Sequence, residues 1–230
     1  MSRLRIDPLE RDVLASQTPG ALAAIFFKHR GRLLWKWVHY LEIYERHFAQ
    51  YRNTPVKMLE IGVFKGGSLD MWREYFGQSA TIFGIDVDPN CADYVTEPNQ
   101  VRIGSQDDPE FLKKVVLEMG SPDIVLDDGS HIGRHQRKSF EILFPILKPG
   151  ALYVIEDLHA SYWGSCEGGY KDKRTIVEYV KRMIDDIHAW YHDTSVTTPA
   201  KTDVGAIHLY DSIVVIEKKS RQQPGHIQVS

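Results

Sequence analysis

The chain has 230 residues, 43% hydrophobic and 26% charged, a composition that excludes a mostly disordered polypeptide. With 28 Lys+Arg against 31 Asp+Glu the net charge is −3, which disfavours a dedicated nucleic-acid binder, since such proteins are usually basic. Cys91 and Cys166 are too few for a disulfide framework or a cysteine zinc site, and no apolar run approaches the ~20 residues of a membrane span.

The N-terminal sequence lacks the apolar core of a signal peptide, so a cytoplasmic location without a membrane partner is expected. Residues 1–55 read as a helical N-terminal extension. After Pro19, residues 21–27 predict a short helix ended near Gly31. From 33 to 51, Val38, Leu41, Tyr44 and Phe48 fall at helical spacing and predict one helix up to the break at Asn53-Thr54-Pro55. Over 56–218, strands and helices alternate. Short apolar strands are expected at 56–61, 80–85, 100–103, 124–126 and 151–155. Helices are expected at 66–76, 109–119, 132–147 and 174–191, the last with Ile176, Val180, Met183, Ile184 and Ile187 on one face. Segments 206–210 and 213–217 read as a final strand pair turning at Asp211-Ser212, and 219–230 as a polar, fraying tail. This order predicts an α/β fold with a seven-stranded, mostly parallel sheet and one antiparallel strand. Ligands in such sheets sit outside the carboxyl ends of the strands, so the strand-end residues carry the functional argument.

The first strand ends in Glu60-Ile61-Gly62, and Gly66-Gly67-Ser68 opens the next helix. Glycines let a ligand approach the backbone, and the helix start offers N–H donors. Phe64 breaks the dinucleotide G-x-G-x-x-G pattern, so the loop suits a carboxylate-bearing ligand better than a pyrophosphate. Asp86, twenty-four residues after Gly62, is spaced to bind ribose hydroxyls. Ser105-Gln106-Asp107 can read an adenine edge, although Asp107 equally suits an N-cap for the helix at Pro109. In this order, with Asp127-Asp128 at the fourth strand end, the chain resembles the class I S-adenosylmethionine-dependent methyltransferases over residues 56–218, which implies their Rossmann-like fold. The resemblance implies that Glu60, Gly62 and Ser68 line the methionine end of the cofactor, Asp86 the ribose, and Gln106, Asp107 and Asp127 the rest of the cofactor site.

Strand four ends Asp127-Asp128-Gly129-Ser130-His131 and strand five Glu156-Asp157-Leu158-His159. In neighbouring strands these ends converge, and the carboxylates repel unless a cation joins them. Mg²⁺ favours such oxygen ligands, so Asp128, Glu156 and Asp157 are the metal candidates; zinc would recruit His or Cys. His131, beside the metal, suits a general base, and a bound cation would acidify the acceptor hydroxyl. The capping of a following helix by Asp128 or Ser130 is the plainer alternative for that segment. The two motifs together resemble metal-dependent sugar O-methyltransferases of natural-product pathways: the mycinamicin-type and rhamnosyl enzymes and the cephalosporin hydroxylase-like group. Residues 36–40 and Tyr44-Glu45-Arg46 resemble the region before the sheet in that group. The resemblance implies Mg²⁺ on Asp128, Glu156 and Asp157, and a sugar-bearing small-molecule acceptor bordered by Tyr162 and Trp163. Some members carry a large additional N-terminal domain, so a homo-oligomer is admitted but no architecture is implied.

Around the acceptor, the aromatic and glycine-rich stretch 159–170 suits sugar faces or planar aglycones and permits movement. Of Trp35, Trp37, His39 and Tyr40, the last two are expected to face the site with His159, and the tryptophans to be core. Three other readings stay open: a catechol-type O-methyltransferase, a metal-dependent oxygenase, and a non-catalytic scaffold. The oxygenase is disfavoured because mononuclear iron sites normally use two histidines and one carboxylate.

Overall fold

The computed structural model describes residues 8–229. Helices α1 (Pro8–Gln17), α2 (Ala21–Lys28) and α3 (Tyr40–Phe48) precede the sheet. Then follow β1 (Lys57–Ile61), α4 (Gly67–Phe76), β2 (Thr81–Asp86), β3 (Gln100–Ile103), α5 (Pro109–Met119), β4 (Ile124–Asp127), α6 (Gly133–Leu143), β5 (Leu152–Ile155) and α7 (Ile176–Ile187). The short α8 (Ala200–Asp203) leads into the hairpin β6 (Val204–Leu209) and β7 (Val214–Lys218). The sheet order is β3-β2-β1-β4-β5-β7-β6, with β7 antiparallel to both its neighbours and the other pairings parallel. The expected seven-stranded α/β architecture is therefore observed.

Successive strand side chains point to opposite faces, and this alternation builds two apolar layers. On one face Met58, Ile82, Leu126 and Val154 meet Tyr44 and Phe48 of α3 and Trp72 and Phe76 of α4. On the other, Leu59, Val125, Tyr153 and Ile155 meet Leu112, Phe140 and Tyr179 from α5, α6 and α7. No helix among the described residues is long and apolar enough to cross a membrane.

The single helix expected over 33–51 is shorter: only Tyr40–Phe48 is α-helical, followed by a 3₁₀ turn at Ala49–Tyr51. Residues 33–37 are not helical because they run across the start of α4. A Cβ on Gly67 would lie 2.4 Å from the Leu33 carbonyl oxygen and 2.7 Å from that of Arg32. The helices expected at 132–147 and 174–191 are also shorter, the first ending in a 3₁₀ turn at Phe144–Ile146. The tail is tied at its start, where Lys219 and Arg221 donate their N–H groups to Asp203 and Thr202 carbonyls at 2.8 and 2.7 Å.

Register fixes what the rim presents. Ile61 pairs with Ile85 on one side and Asp127 on the other, and Asp127 pairs with Ile155. The ladder then continues one residue further: Gly62, Asp128 and Glu156 donate N–H bonds to Ile85, Ile61 and Asp127 at 2.8–2.9 Å. The ends of β1, β2, β4 and β5 thus form one continuous line. Phe48 pins α3 to this frame, fully buried against the rings of Tyr44, Trp72 and Phe76 at 5.5–6.0 Å. Phe48→Ala is expected to cost about 3–5 kcal/mol, read as a lowered urea midpoint; an unchanged midpoint would show that α3 contributes little to the fold.

Candidate active site

The centre of the rim is a lysine. Lys36 lies on the non-helical segment before α3, and its side chain is 2% exposed. Its Nζ donates to Asp128 Oδ2 at 2.6 Å and to Glu156 Oε1 and Oε2 at 2.9 and 3.1 Å, and lies 3.5 Å from Glu60 Oε1. Burial pulls the ammonium's pKa down, but Asp128, Glu156 and Glu60 outweigh it and hold the group well above the usual lysine range. Glu156 is buried and also accepts from the Tyr44 hydroxyl. Burial and then the neighbouring Asp128 charge push its pKa well upward, against the pull of Lys36 and the Tyr44 hydrogen bond. Glu60 takes the Ser68 hydroxyl at 2.8 Å on one oxygen, while its buried Oε1 accepts no hydrogen bond.

Beside this cluster, Asp128, His131 and Asp157 each bring one ligand atom within 4.8 Å of the other two. His131 and Asp157 both have left-handed backbones, φ 55° and 54°. Non-glycine residues seldom adopt that region, and it gathers at functional sites; here it places His131 Nε2 3.7 Å from Asp157 Oδ2. His131 Nδ1 is buried without a hydrogen-bond partner. Tyr40 holds Asp157 from beneath: its hydroxyl lies 2.9 Å from both Asp157 Oδ1 and the Ser212 carbonyl, and accepts the Asp157 N–H at 3.2 Å.

On the other side, Asp86 closes the glycine loop on itself. Its carboxylate accepts from the N–H groups of Val63 at 2.9 Å, Phe64 at 3.1 Å and Asp88 at 3.0 Å. Burial raises its pKa, but these three N–H bonds prevail and the net direction is down. Gln106 is a buried strut: its amide donates to Asp127 at 3.1–3.2 Å and accepts from Ser130 N–H at 2.9 Å. Asp127, wholly buried and raised in pKa mainly by that burial, also takes the Ser139 hydroxyl at 2.7 Å. The N-cap of α5 is Asp108, not Asp107. Asp107 instead takes the Ser105 hydroxyl at 2.5 Å and lies 3.6 Å from His135 Nε2.

The aromatic edge differs from expectation. Trp35 and Trp37 are 68% and 49% exposed, whereas Tyr40 is fully buried. Helix α3 starts only at Tyr40, so the tryptophans escape the core. Trp37, His159 and Trp163 form a run of edge contacts, with centroids 5.6 and 4.5 Å apart. His39 packs on Trp37 at 6.0 Å and lies 3.1 Å from the Asp211 carbonyl, and Tyr162 is exposed nearby in sequence.

Residues 59–158 match a family model described as a methyltransferase domain. The rhamnosyl tetracenomycin-C 2′-O-methyltransferase of Streptomyces olivaceus is 37% identical over 220 residues, 91% of this chain and 57% of that protein. The mycinamicin VI 2″-O-methyltransferase of Micromonospora griseorubida is 38% identical over 201 residues, 79% and 48%. A solved structure of the methyltransferase MycE, in complex with Mg, SAH and mycinamycin VI, superposes with a TM-score of 0.73 at 33% identity, covering 91% of this chain and 53% of that one. Over most of its length the chain is thus similar to class I S-adenosylmethionine-dependent methyltransferases. It spans about half the length of the relatives it matches.

Both groups that this resemblance implies fit the residues present. The glycine-loop side offers Glu60 Oε1, a buried oxygen that accepts no hydrogen bond and has only the 3.5 Å ion-pair contact with Lys36. The Asp128, His131 and Asp157 group offers mainly oxygen donors, the set a hard divalent ion prefers. One ammonium also faces three carboxylates, so the cluster is short of positive charge. Of the expected metal residues, Asp128 and Asp157 share that group, while the Glu156 carboxylate is turned to Lys36 and Tyr44. A second group, His47, His208 and Glu217, is internally satisfied: His208 pairs with Glu217 at 2.7 Å and His47 with the Tyr210 hydroxyl at 2.9 Å. It fastens α3 to the hairpin.

Lys36 and Tyr44 entered the sequence reading only through the resemblance of their segments and the helical spacing of Tyr44, not as site residues. The available sign was a single cation inside the aromatic run Trp35-Lys36-Trp37, a costly residue to bury without a partner. Gly62 is where the glycine loop touches the acidic centre: at φ 95°, a Cβ would lie 2.2 Å from the Asp128 carbonyl oxygen. Gly62→Ala is expected to lose about 1–3 kcal/mol from this overpacking, beyond the loss in Gly150→Ala, where φ is 92° but no atom lies within 4 Å of the added Cβ. Equal urea midpoints for the two variants would show that the loops do not press on each other.

Proposed function

We propose that this chain carries a Mg²⁺-dependent O-methyltransferase activity that uses S-adenosylmethionine and methylates a hydroxyl on the sugar of a glycosylated natural product. In this reading residues 56–218 bind the cofactor, and residues 1–55 finish the site as a helical extension. The observation that carries it is the Asp128, His131 and Asp157 group at the ends of adjacent strands, beside the glycine loop. The similarity to the rhamnosyl tetracenomycin-C 2′-O-methyltransferase and the mycinamicin VI 2″-O-methyltransferase supports the acceptor class.

S-adenosylmethionine supplies an electrophilic methyl, and a divalent ion supplies a charge that acidifies the acceptor hydroxyl. Asp128 and Asp157 would hold that ion, with Glu156 completing the acidic wall. His131 Nε2 receives the hydroxyl proton; the left-handed backbone holds the ring beside Asp157. Glu60, Gly62 and Ser68 line the methionine end, Asp86 braces the loop for the ribose, and Gln106, Asp107 and Asp127 shape the rest of the cofactor pocket. The exposed faces of Trp37 and Trp163 with His159 suit the C–H surface of a sugar, and Tyr162 and His39 flank it. Tyr40 acts from below by fixing Asp157.

Thermal unfolding with S-adenosylmethionine, with and without Mg²⁺, tests both halves. A ligand at 100 times its Kd adds about 2.7 kcal/mol, so an upward shift with the cofactor and a further chelator-sensitive shift with Mg²⁺ are expected. No response to the cofactor would refute the methyltransferase reading. His131→Ala is expected to lower turnover by about 10²–10⁴-fold on rhamnosylated acceptors while leaving cofactor affinity near wild type. Parallel loss of both would make His131 structural, and preferential turnover of an aromatic diol would move the acceptor class to catechols.

A further inference from the structure

We propose that Lys36 is a positioning residue for the divalent-ion site, its ammonium holding the Asp128 carboxylate beside His131 and Asp157 and drawing the Glu156 carboxylate away to itself and Tyr44. This rests on the reading of those carboxylates given above. An ammonium has three N–H donors, and Lys36 meets three carboxylates that end or follow three adjacent strands: Glu60 on β1, Asp128 after β4 and Glu156 after β5. No other cation touches Asp128 or Glu156 among the described ion pairs. Carboxylates on adjacent strand ends repel, and each left alone would turn toward solvent or the nearest donor. The shared ammonium holds Asp128 and Glu156 together: it takes both oxygens of Glu156 but only Oδ2 of Asp128, which leaves the other Asp128 oxygen free of the lysine.

The lysine is itself held from both directions along the chain. Before it, Arg32 pairs with Asp70 of α4 at 3.1 Å, and the Leu33 carbonyl lies against Gly67. After it, the Trp37 carbonyl accepts the Tyr40 N–H at 3.1 Å and starts α3. Tyr44, one turn into α3, adds its hydroxyl to Glu156. The segment before the sheet therefore supplies both groups that orient Glu156, and it bends out of helical form where Lys36 enters. Hydrogen-bond partners of metal-ligating carboxylates act on the metal through orientation, and their loss typically costs 10–100-fold in affinity.

The test is Mn²⁺ binding to the full chain, followed by the EPR signal of free Mn²⁺, with S-adenosylmethionine affinity and the thermal melt as fold controls. Lys36→Met is expected to weaken Mn²⁺ by about 10–100-fold while cofactor affinity changes far less. Should Lys36→Met lose its cooperative melt, Lys36→Arg carries the test. It keeps the charge but replaces a compact ammonium with a planar fork, and it is expected to fold and bind Mn²⁺ about tenfold more weakly. Unchanged or tighter Mn²⁺ binding in a folded variant overturns the inference and leaves the metal site standing. Absence of Mn²⁺ binding by the wild-type chain overturns both.

Discussion

One buried ammonium among strand-end carboxylates is the constraint on which this site depends. A parallel sheet brings the ends of β1, β4 and β5 side by side, and the sequence places Glu60, Asp128 and Glu156 there. Burying such charges without a counter-ion is expensive, and breaking a buried pair typically costs about 3–5 kcal/mol. Lys36 meets part of that demand from outside the sheet. Beyond the lysine lies the Asp128, His131 and Asp157 group, whose mainly oxygen donors would suit a divalent ion.

This arrangement ties the segment before the sheet to the rim carboxylates. Helix α3 is packed on the sheet by Tyr44 and Phe48, and three of its polar side chains act at a distance from that core: Tyr40 on Asp157, Tyr44 on Glu156 and His47 on Tyr210 of the hairpin. Glu45 accepts the N–H of Leu22 at 2.8 Å, which places a negative charge at the start of α2. A helix that reads as a simple amphipathic cover is also the floor of the acidic centre. The left-handed residues His131 and Asp157 then bring their side chains together beside it, a strain the surrounding packing and hydrogen bonds sustain.

Much of the fold was legible. Strand β3 and helix α5 follow the hydropathy pattern to the residue, and the remaining strands differ by one or two. The segment 33–51 misled because its apolar spacing is compatible with a helix, while the contact with Gly67 that unwinds its first part lies 34 residues away (33 to 67). The same unwinding turned Trp35 and Trp37 outward and left Tyr40 inside. Helix α1 went unmarked because its residues mix charged and apolar types without a clear stripe. Asp107 and Asp108 are both plausible caps in sequence; which one caps α5 is decided by the turn that precedes it.

The sequence fixes the chemistry available at the rim. Alternating strands and helices are local patterns, and the rule that ligands meet parallel strands at their carboxyl ends converts them into a short roster: Glu60, Asp86, Asp128, His131, Glu156 and Asp157. It does not say which of these groups meet. That Glu156 turns toward Lys36 and Tyr44 while Asp128 also faces His131 and Asp157 is decided by strand register and by a segment 92 to 120 residues distant in the chain. Hydropathy records whether a residue is buried on average, not which opposite charge it finds. For ionic groups in a low-dielectric interior, that partner determines both orientation and charge.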